Sequence, residues 1–387
     1  MSHFPAHTSE VLPWHATTKR GTEIDHYTAT IPPRIASVEL VLSRDANEAC
    51  RQAEVDVRVL DQSTAISMTS LEPFLLRTEA LASSKIEQEF ATVDQFARAQ
   101  VGISTSKNAL TVLAAADGLR LLVDQAHDGV TLPSILAAHR PLVEHDPVDS
   151  RYAGQLRDVQ NWIGGSDHSP RGALHVPPHP NKVLTLMDDL LAYSARTDLD
   201  PIAQSVVAHA QFESIHPFTD GNGRIGRSLI NAIWRYRGLT RTVAVPVAAA
   251  IVADRERYFS VLDKYRAGDV TPIIVYLAEC TSRASREALV SAAKLAELPQ
   301  LWRGQANARA GSTTSRLVNL LLERPIVHAY DVATMLGASR ASAYRALDAL
   351  EQAGVLRKIT QSKRDMTWAA GEVLDEADLL IDRLRKV

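Results

Sequence analysis

His216-Pro217-Phe218-Thr219-Asp220-Gly221-Asn222-Gly223-Arg224-Ile225-Gly226-Arg227 gathers a base, a carboxylate, two glycines flanking an amide and two arginines into twelve residues. Gly221 and Gly223 let successive backbone N–H groups turn toward an anion at a helix start. A helix beginning near Gly221 puts Arg224 and Arg227 at i and i+3 on one face. Both guanidinium forks can then reach the outer phosphates of a polyphosphate. Asp220, just ahead of that turn, is a hard oxygen ligand of the kind magnesium takes between phosphates. His216 is the natural general base, because an imidazole titrates near neutrality. Piecemeal, Gly-Asn-Gly marks a turn before a surface helix. As a whole, the string holds a polyphosphate and removes a proton.

The string resembles the signature of Fic-domain proteins, His-Pro-Phe-x-Asp/Glu-Gly-Asn-Gly-Arg-x-x-Arg, and meets each of its fixed positions. The resemblance implies a Fic-type helical bundle with a small β-hairpin flap. It also implies a protein adenylyltransferase that moves AMP from ATP to a Ser, Thr or Tyr hydroxyl. Carried over by position, His216 deprotonates the hydroxyl and Asp220 holds Mg2+ on the α- and β-phosphates. Asn222 and the local amides stabilise the α-phosphate oxyanion, and Arg224 and Arg227 take the β- and γ-phosphates. Gly221, Gly223, Ile225 and Gly226 complete the nucleotide-binding string. Such chemistry needs positioning and charge neutralisation more than covalent catalysis. The branch of the family that phosphorylates its target carries Lys where this chain has Gly223, so Gly here favours AMP transfer.

Ser83-Ser84-Lys85-Ile86-Glu87-Gln88 lies within a helix expected over roughly Leu75 to Ala99, with Ile86, Phe90, Val93 and Ala97 on its apolar face. Ser83 and Glu87, four apart, share another face, which from spacing alone is an ordinary solvated one. The segment resembles the Ser/Thr-x-x-x-Glu-Gly/Asn inhibitory helix of self-inhibited Fic proteins. There the Glu pairs with the second signature arginine, here Arg227, and excludes the γ-phosphate. Gln88 departs from the family's Gly or Asn.

Gln160 to Gly165 and Ser169 to Arg171 precede Gly172-Ala173-Leu174-His175-Val176-Pro177-Pro178, a loop and an extended segment before a helix starting near Asn181. An extended segment can register a target chain by strand addition. In Fic proteins a flap over the nucleotide occupies this place, which makes Gly172 to His175 its working part and Leu174 and His175 nucleotide contacts. Tyr258-Phe259 resembles the aromatic wall of the family's adenine pocket, although Arg266 stands where Asn is frequent. Without the resemblance, Tyr258 is a half-buried helix aromatic.

The bulk properties agree with a soluble enzyme. At 387 residues the chain has room for two or three domains, and 45% hydrophobic with 22% charged residues is ordinary. A net charge of −3 argues against a chain that coats nucleic acid. Cys50 and Cys280 lack metal-like spacing, so a reducing cytoplasm is the simplest setting. No secretory signal is evident at the start. The apolar stretch Val243 to Ala253 is too short to span a bilayer and contains Pro246.

Composition divides the chain into residues 1–110, an extended arm and the helices with the inhibitory motif; 111–292, the catalytic core; 293–313, a linker; and 314–387, a separate module. In the last, Gly337 between two short helices and Ser339 as an N-cap read as a helix-turn-helix. Val355 to Ile359 and Met366 to Ala370 read as strands flanking a Lys363-Arg364 tip, so the module resembles a winged helix. Arg340, Arg345, Arg357, Lys358, Lys363 and Arg364 outweigh Asp348 and Glu351 there, which suits phosphate contacts. The fold class expected is thus mainly α, with a C-terminal winged helix-turn-helix.

Two further functions stay open: a DNA-binding regulator with a nucleotide-sensing core, and a de-adenylylating enzyme in which Glu87 orients water. The partners expected are ATP and a hydroxyl-bearing protein, this chain included. A DNA or protein partner on the winged helix and a homodimer remain compatible with the sequence, whereas a membrane does not.

Overall fold

The chain is mainly helical, as its composition predicts. The structure, a computed structural model, describes residues 4–15, 23–63, 68–103, 106–166, 168–360 and 366–385. Strands β1 (Thr8–Pro13) and β2 (His26–Ile31) come first. Helices α1 (Arg44–Asp61), α2 (Met68–Ile86), α3 (Val93–Gln100), α4 (Lys107–Asp124), α5 (Leu132–Val143), α6 (Pro180–Ser194), α7 (Pro201–Ile215), α8 (Asn222–Tyr236), α9 (Val247–Ile251), α10 (Arg255–Arg266) and α11 (Thr271–Gln305) follow. The chain closes with α12 (Thr313–Glu323), β3 (Ile326–His328), α13 (Ala329–Met335), α14 (Arg340–Gln352), β4 (Leu356–Lys358), β5 (Thr367–Ala370) and α15 (Gly371–Arg385).

One compact unit comprises residues 1–55, 117–240 and 254–280. Its centre is α7 against α8. Every residue from Ile202 to Ile215 is buried, so the polar side chains of α7 must find partners inside the protein. Gln204 donates to the carbonyls of Tyr193, Ser194 and Arg196 at 3.0, 3.1 and 2.8 Å, closing the open carbonyl end of α6. Gln211 donates to the Pro33 carbonyl at 2.6 Å and accepts from the Tyr265 hydroxyl at 2.7 Å. The start of α7 is set locally, by Pro201 in its first turn and by Asp200 accepting the Ala203 N–H at 2.9 Å.

The N-terminal arm expected to be merely extended forms an antiparallel hairpin, β1 with β2, from Thr8↔Ile31 to Pro13↔His26. Tyr27, Ala29 and Val176 form a small core beneath it, with Trp14 and Trp162 packed alongside. Alternating side chains fold the arm down because one face of the pair is apolar.

The second unit comprises residues 56–116, 241–253 and 281–387, so the segment carrying Ser83 and Glu87 groups with the C-terminal module and not with the arm. There α2 packs on α9, α12 and α15. Glu79 accepts the Ala248 N–H at 2.8 Å, satisfying a donor in the first turn of α9. The continuous helix expected over Leu75 to Ala99 does not form. Helix α2 stops at Ile86, Gln88 turns into left-handed backbone at φ 63°, and Thr92 begins α3 with a capping box to Gln95. Phe90, expected on the apolar face, is left 63% exposed in the link.

Residues expected as a linker over 293–313 are helical to Gln305, because α11 runs on through Pro299. Beyond it, α12, β3, α13, α14, β4 and β5 follow in order, and the strands pair antiparallel as β3-β5-β4. The expected strands hold, and β3 adds a third that sequence periodicity did not show. Of the six cations expected to face phosphates, Arg357 pairs with Asp94 at 2.5 Å and Lys358 with Glu351 at 2.9 Å. Lys363 and Arg364 lie outside the described residues. Arg340 and Arg345 are exposed, with Arg340 over the Tyr330 ring. Two of the four described cations of that basic surface are therefore paired with acids of the same unit. No helix among the described residues is long and apolar enough to cross a membrane.

Candidate functional site

His216 ends α7. Its N–H reaches the Phe212 carbonyl at 2.9 Å, and its own backbone is left-handed at φ 50° and ψ 62°. A non-glycine residue in that conformation costs about 1–2 kcal/mol, a strain that persists where packing over-determines it. The neighbouring carbonyls, open at a helix end, are all met. Ser214 accepts from His175 Nε2 at 3.1 Å, and Arg157 serves His216 at 2.8 Å. Burial holds the His216 imidazole down to about 3, with the nearby Arg157 and Arg266 charges pushing the same way. The ring is thus neutral, as a proton acceptor must be, and keeps partial exposure.

The chain then passes through Pro217 to Gly221 before re-entering helix. Asn222 grips this loop from below. Its Oδ1 accepts the Phe218 N–H at 2.8 Å and its Nδ2 donates to the Phe218 carbonyl at 2.8 Å. Asn161 donates to the same carbonyl at 2.7 Å. Both ends of the Asn222 amide are therefore occupied by backbone, so it shapes the loop. The Nδ2 group carries a second N–H, so the α-phosphate contact carried over from the resemblance does not require that clasp to open. His139, on α5, also supports the loop, through the Asp220 carbonyl at 3.1 Å and a face-to-face stack on Phe218.

Gly221 caps α8 at φ 78° and, lacking a side chain, leaves the first-turn amides without a capping group of its own. A helix start of this kind suits an anion. Asp220 lies half exposed, its Oδ1 taking the Gly221 N–H at 2.6 Å and its Oδ2 the buried Arg224 fork at 2.9 Å. Arg227, one turn on, is 2% exposed and close enough to help depress His209, whose buried imidazole lies at about 3. Ile225 is buried. Gly226 faces α7, since an added Cβ would lie 2.7 Å from Glu213 Oε1 and 3.1 Å from Phe212. Its smallness serves the helix crossing. Tyr258 is 1% exposed, with its hydroxyl 2.9 Å from His209 Nε2, so it backs the site and Phe259, 39% exposed, is the open aromatic.

Across from the loop, Ile163 and His175 form an isolated antiparallel bridge, with Leu174 N–H donating to the Ile163 carbonyl at 2.7 Å. Leu174 projects outward at 83% exposure, in keeping with a flap tip. His175, expected in the flap as a nucleotide contact, points inward and donates to the Ser214 carbonyl at the end of α7; burial pushes its imidazole to about 2. Sequence reading missed Arg157, Asn161 and His139, which touch this loop only through the folded backbone.

Ser83 is buried in the last turn of α2, and Glu87 is exposed in the turn beyond it. They do not share a helix face, because the helix ends between them. No cluster of three His, Cys, Asp or Glu that could hold a metal occurs among the described residues. Asp220 alone could contribute to a magnesium site. That fits an ion held mostly by water and by the oxygens of its polyphosphate.

Residues 129–234 match the family model described as Fic/DOC family. The chain is 26% identical over 243 residues to "Protein adenylyltransferase Fic" of Aedes aegypti, a match covering 62% of this chain and 43% of that protein. It is 33% identical over 163 residues to the protein of the same name from Nematostella vectensis, covering 41% of this chain and 34% of that one. The chain thus spans less than half the length of these curated relatives. In three dimensions it resembles a Fic family protein from Desulfovibrio desulfuricans G20, at 22% identity and a TM-score of 0.54, over 86% of this chain and 98% of that one. A Fic domain containing signaling protein from Bacteroides thetaiotaomicron VPI-5482 matches with a TM-score of 0.50 and 20% identity, over 64% of this chain and 97% of that one. At those identities the structural matches establish shared fold alone.

Proposed function

The chain carries a Fic domain over residues 129–234, and on that premise we propose that it is a protein adenylyltransferase moving AMP from ATP to a Ser, Thr or Tyr hydroxyl. One observation carries the reading. A neutral, partly exposed His216 ends one buried helix, and the next begins six residues later, behind a glycine cap and with two buried arginines in its first turns. In the reaction, His216 takes the hydroxyl proton while that oxygen forms a bond to the α-phosphorus. The bond from the α-phosphorus to the bridging oxygen breaks, and pyrophosphate leaves with the electron pair. The first-turn amides of α8 receive negative charge, and Arg224 and Arg227 hold the outer phosphates. Asp220 would be the protein ligand for Mg2+, which would neutralise phosphate charge there. Its pairing with Arg224 keeps both groups in place beforehand.

The motif containing Ser83 and Glu87 supports inhibition in which the Glu87 carboxylate competes with the γ-phosphate for Arg227. The order α12-β3-α13-α14-β4-β5 supports a winged helix-turn-helix at the C-terminal end, with DNA or a protein as its partner. Cys50 and Cys280, buried and in no disulfide among the described residues, support a reducing, cytoplasmic setting.

The test is intact mass after incubation with ATP and magnesium, with and without cell lysate. Wild type, Glu87→Gly and His216→Ala should give little, much and no added AMP, respectively. AMP transfer by His216→Ala would overturn the base assignment. No transfer by wild type or Glu87→Gly, even to lysate proteins, would overturn the transferase reading.

A further inference from the structure

Arg157 is buried, 2% exposed, and sits in a loop with no carboxylate hydrogen-bonded to it. Its fork is spent on backbone carbonyls from three separate stretches. Nε donates to His216 at 2.8 Å, and Nη2 reaches Ile215 at 3.5 Å, both at the open end of α7. Nη1 donates to Val159 at 3.1 Å, on the leg leading into the Ile163–His175 flap, and Nη2 donates to Pro178 at 2.5 Å, on the leg leading out. Its own backbone N–H donates to the Pro217 carbonyl at 2.9 Å. A planar guanidinium offers donors in a fixed fork, so these carbonyls are held at set mutual positions as no flexible ammonium could hold them.

We infer that Arg157 is the positioning residue that registers both legs of the flap against the backbone of His216. The inference rests on the transferase reading for its consequence, but the clamp itself is a property of the fold. A target hydroxyl aligned by the flap must meet the His216 ring, and misplacement by an ångström is costly when the two come from different segments. The His216 backbone that Arg157 holds is left-handed at φ 50°, a conformation that persists where surrounding contacts fix it. Other groups complete the surround. His175 caps Ser214 from the flap itself, and Asn161 ties the entry leg to Phe218 at 2.7 Å. Arg157 stays charged, burial lowering it only to about 10. It therefore also favours neutral His216, together with Arg266 and against the opposing charge of Asp220.

The experiment compares wild type with Arg157→Lys, which keeps charge and loses the fork, and Arg157→Gln, which keeps part of the hydrogen bonding and loses charge. Two readouts are used: AMP transfer in the Glu87→Gly background, and amide hydrogen exchange of the unliganded full chain. Both variants should lower kcat by about a hundredfold with KM for ATP little changed. Exchange should quicken together at Ile163, Leu174, His175 and Phe218, and stay unchanged in α15. Transfer at the parent rate in both variants, or unaltered flap and Phe218 amides, would overturn the inference. So would equal quickening throughout the chain, which would make Arg157 a general stabiliser. If the parent transfers no AMP, the proposed function fails by itself and the exchange pattern still decides the clamp.

Discussion

His139 lies flat on Phe218, ring centroids 3.8 Å apart and planes 4° from parallel, while its two nitrogens hold two different backbones. Nδ1 accepts the Gly154 N–H at 3.2 Å, so it carries no proton. Nε2 must then carry it and donate to the Asp220 carbonyl at 3.1 Å. The neutral tautomer is the only one that serves both bonds. Burial, with the Arg224 charge in the same direction, holds this imidazole at about 4. One side chain thus fixes the loop between base and carboxylate.

His139→Phe keeps the stack and removes both hydrogen bonds. The Gly154 N–H and Asp220 carbonyl are left without their partner, which should lower unfolding free energy by about 1–3 kcal/mol. Urea denaturation monitored by circular dichroism checks this, and an unchanged midpoint would show that the stack alone suffices.

Gln88 occupies left-handed backbone at φ 63° just past the end of α2, where glycine has no Cβ to clash. Gln88→Gly should raise stability by up to about 1 kcal/mol, the relief of Cβ strain less the entropy that glycine adds to the unfolded chain. A thermal melt reads it. A lower melting temperature would mean that the Gln side chain holds the turn.

Gly226→Ala should destabilise by about 1–3 kcal/mol, because the new methyl meets Glu213, Phe212 and His209 across the α7–α8 crossing. A substitution that left melting unchanged but weakened ATP binding would place Gly226 at the nucleotide instead.

Acid should unfold the chain early. His7, His139, His175, His209 and His216 are all pushed well below 6.5, to between about 2 and about 4, with burial the largest cause each time. The unfolded chain binds protons at these positions near pH 6.5 and the folded chain does not. Their contribution is therefore complete above that pH and is lost as pH falls toward the folded values. Each histidine costs about 1.4 kcal/mol per pH unit over that window. Urea midpoints measured from pH 7.5 to 4.5 should hold steady and then drop below about pH 6.5. A flat profile would mean that these imidazoles are protonated in the folded protein.

Much of the site was legible because its signals are local. Pro201 with Asp200, and Gly221 before Asn222, mark where α7 starts and α8 begins. The break between α2 and α3 could have been read as well, from Thr92 with Gln95 three residues later. It was hidden because Ile86, Phe90, Val93 and Ala97 keep helical spacing across a gap that is not helical. The backbone clasp made by Asn222 was not legible for another reason, since a side-chain amide serves a phosphate or a backbone equally well.

The sequence by itself determined a mainly helical chain and the identity and order of base, carboxylate and arginines, because turn geometry, capping and charge act over a few residues. Only tertiary structure decided which groups surround them. Arg157 is 59 positions from the His216 carbonyl that it holds, and His139 is 81 from the Asp220 carbonyl. Contacts of that kind leave no periodicity or spacing to read. They arise when buried carbonyls at a helix end require donors and the packed chain brings those donors within reach.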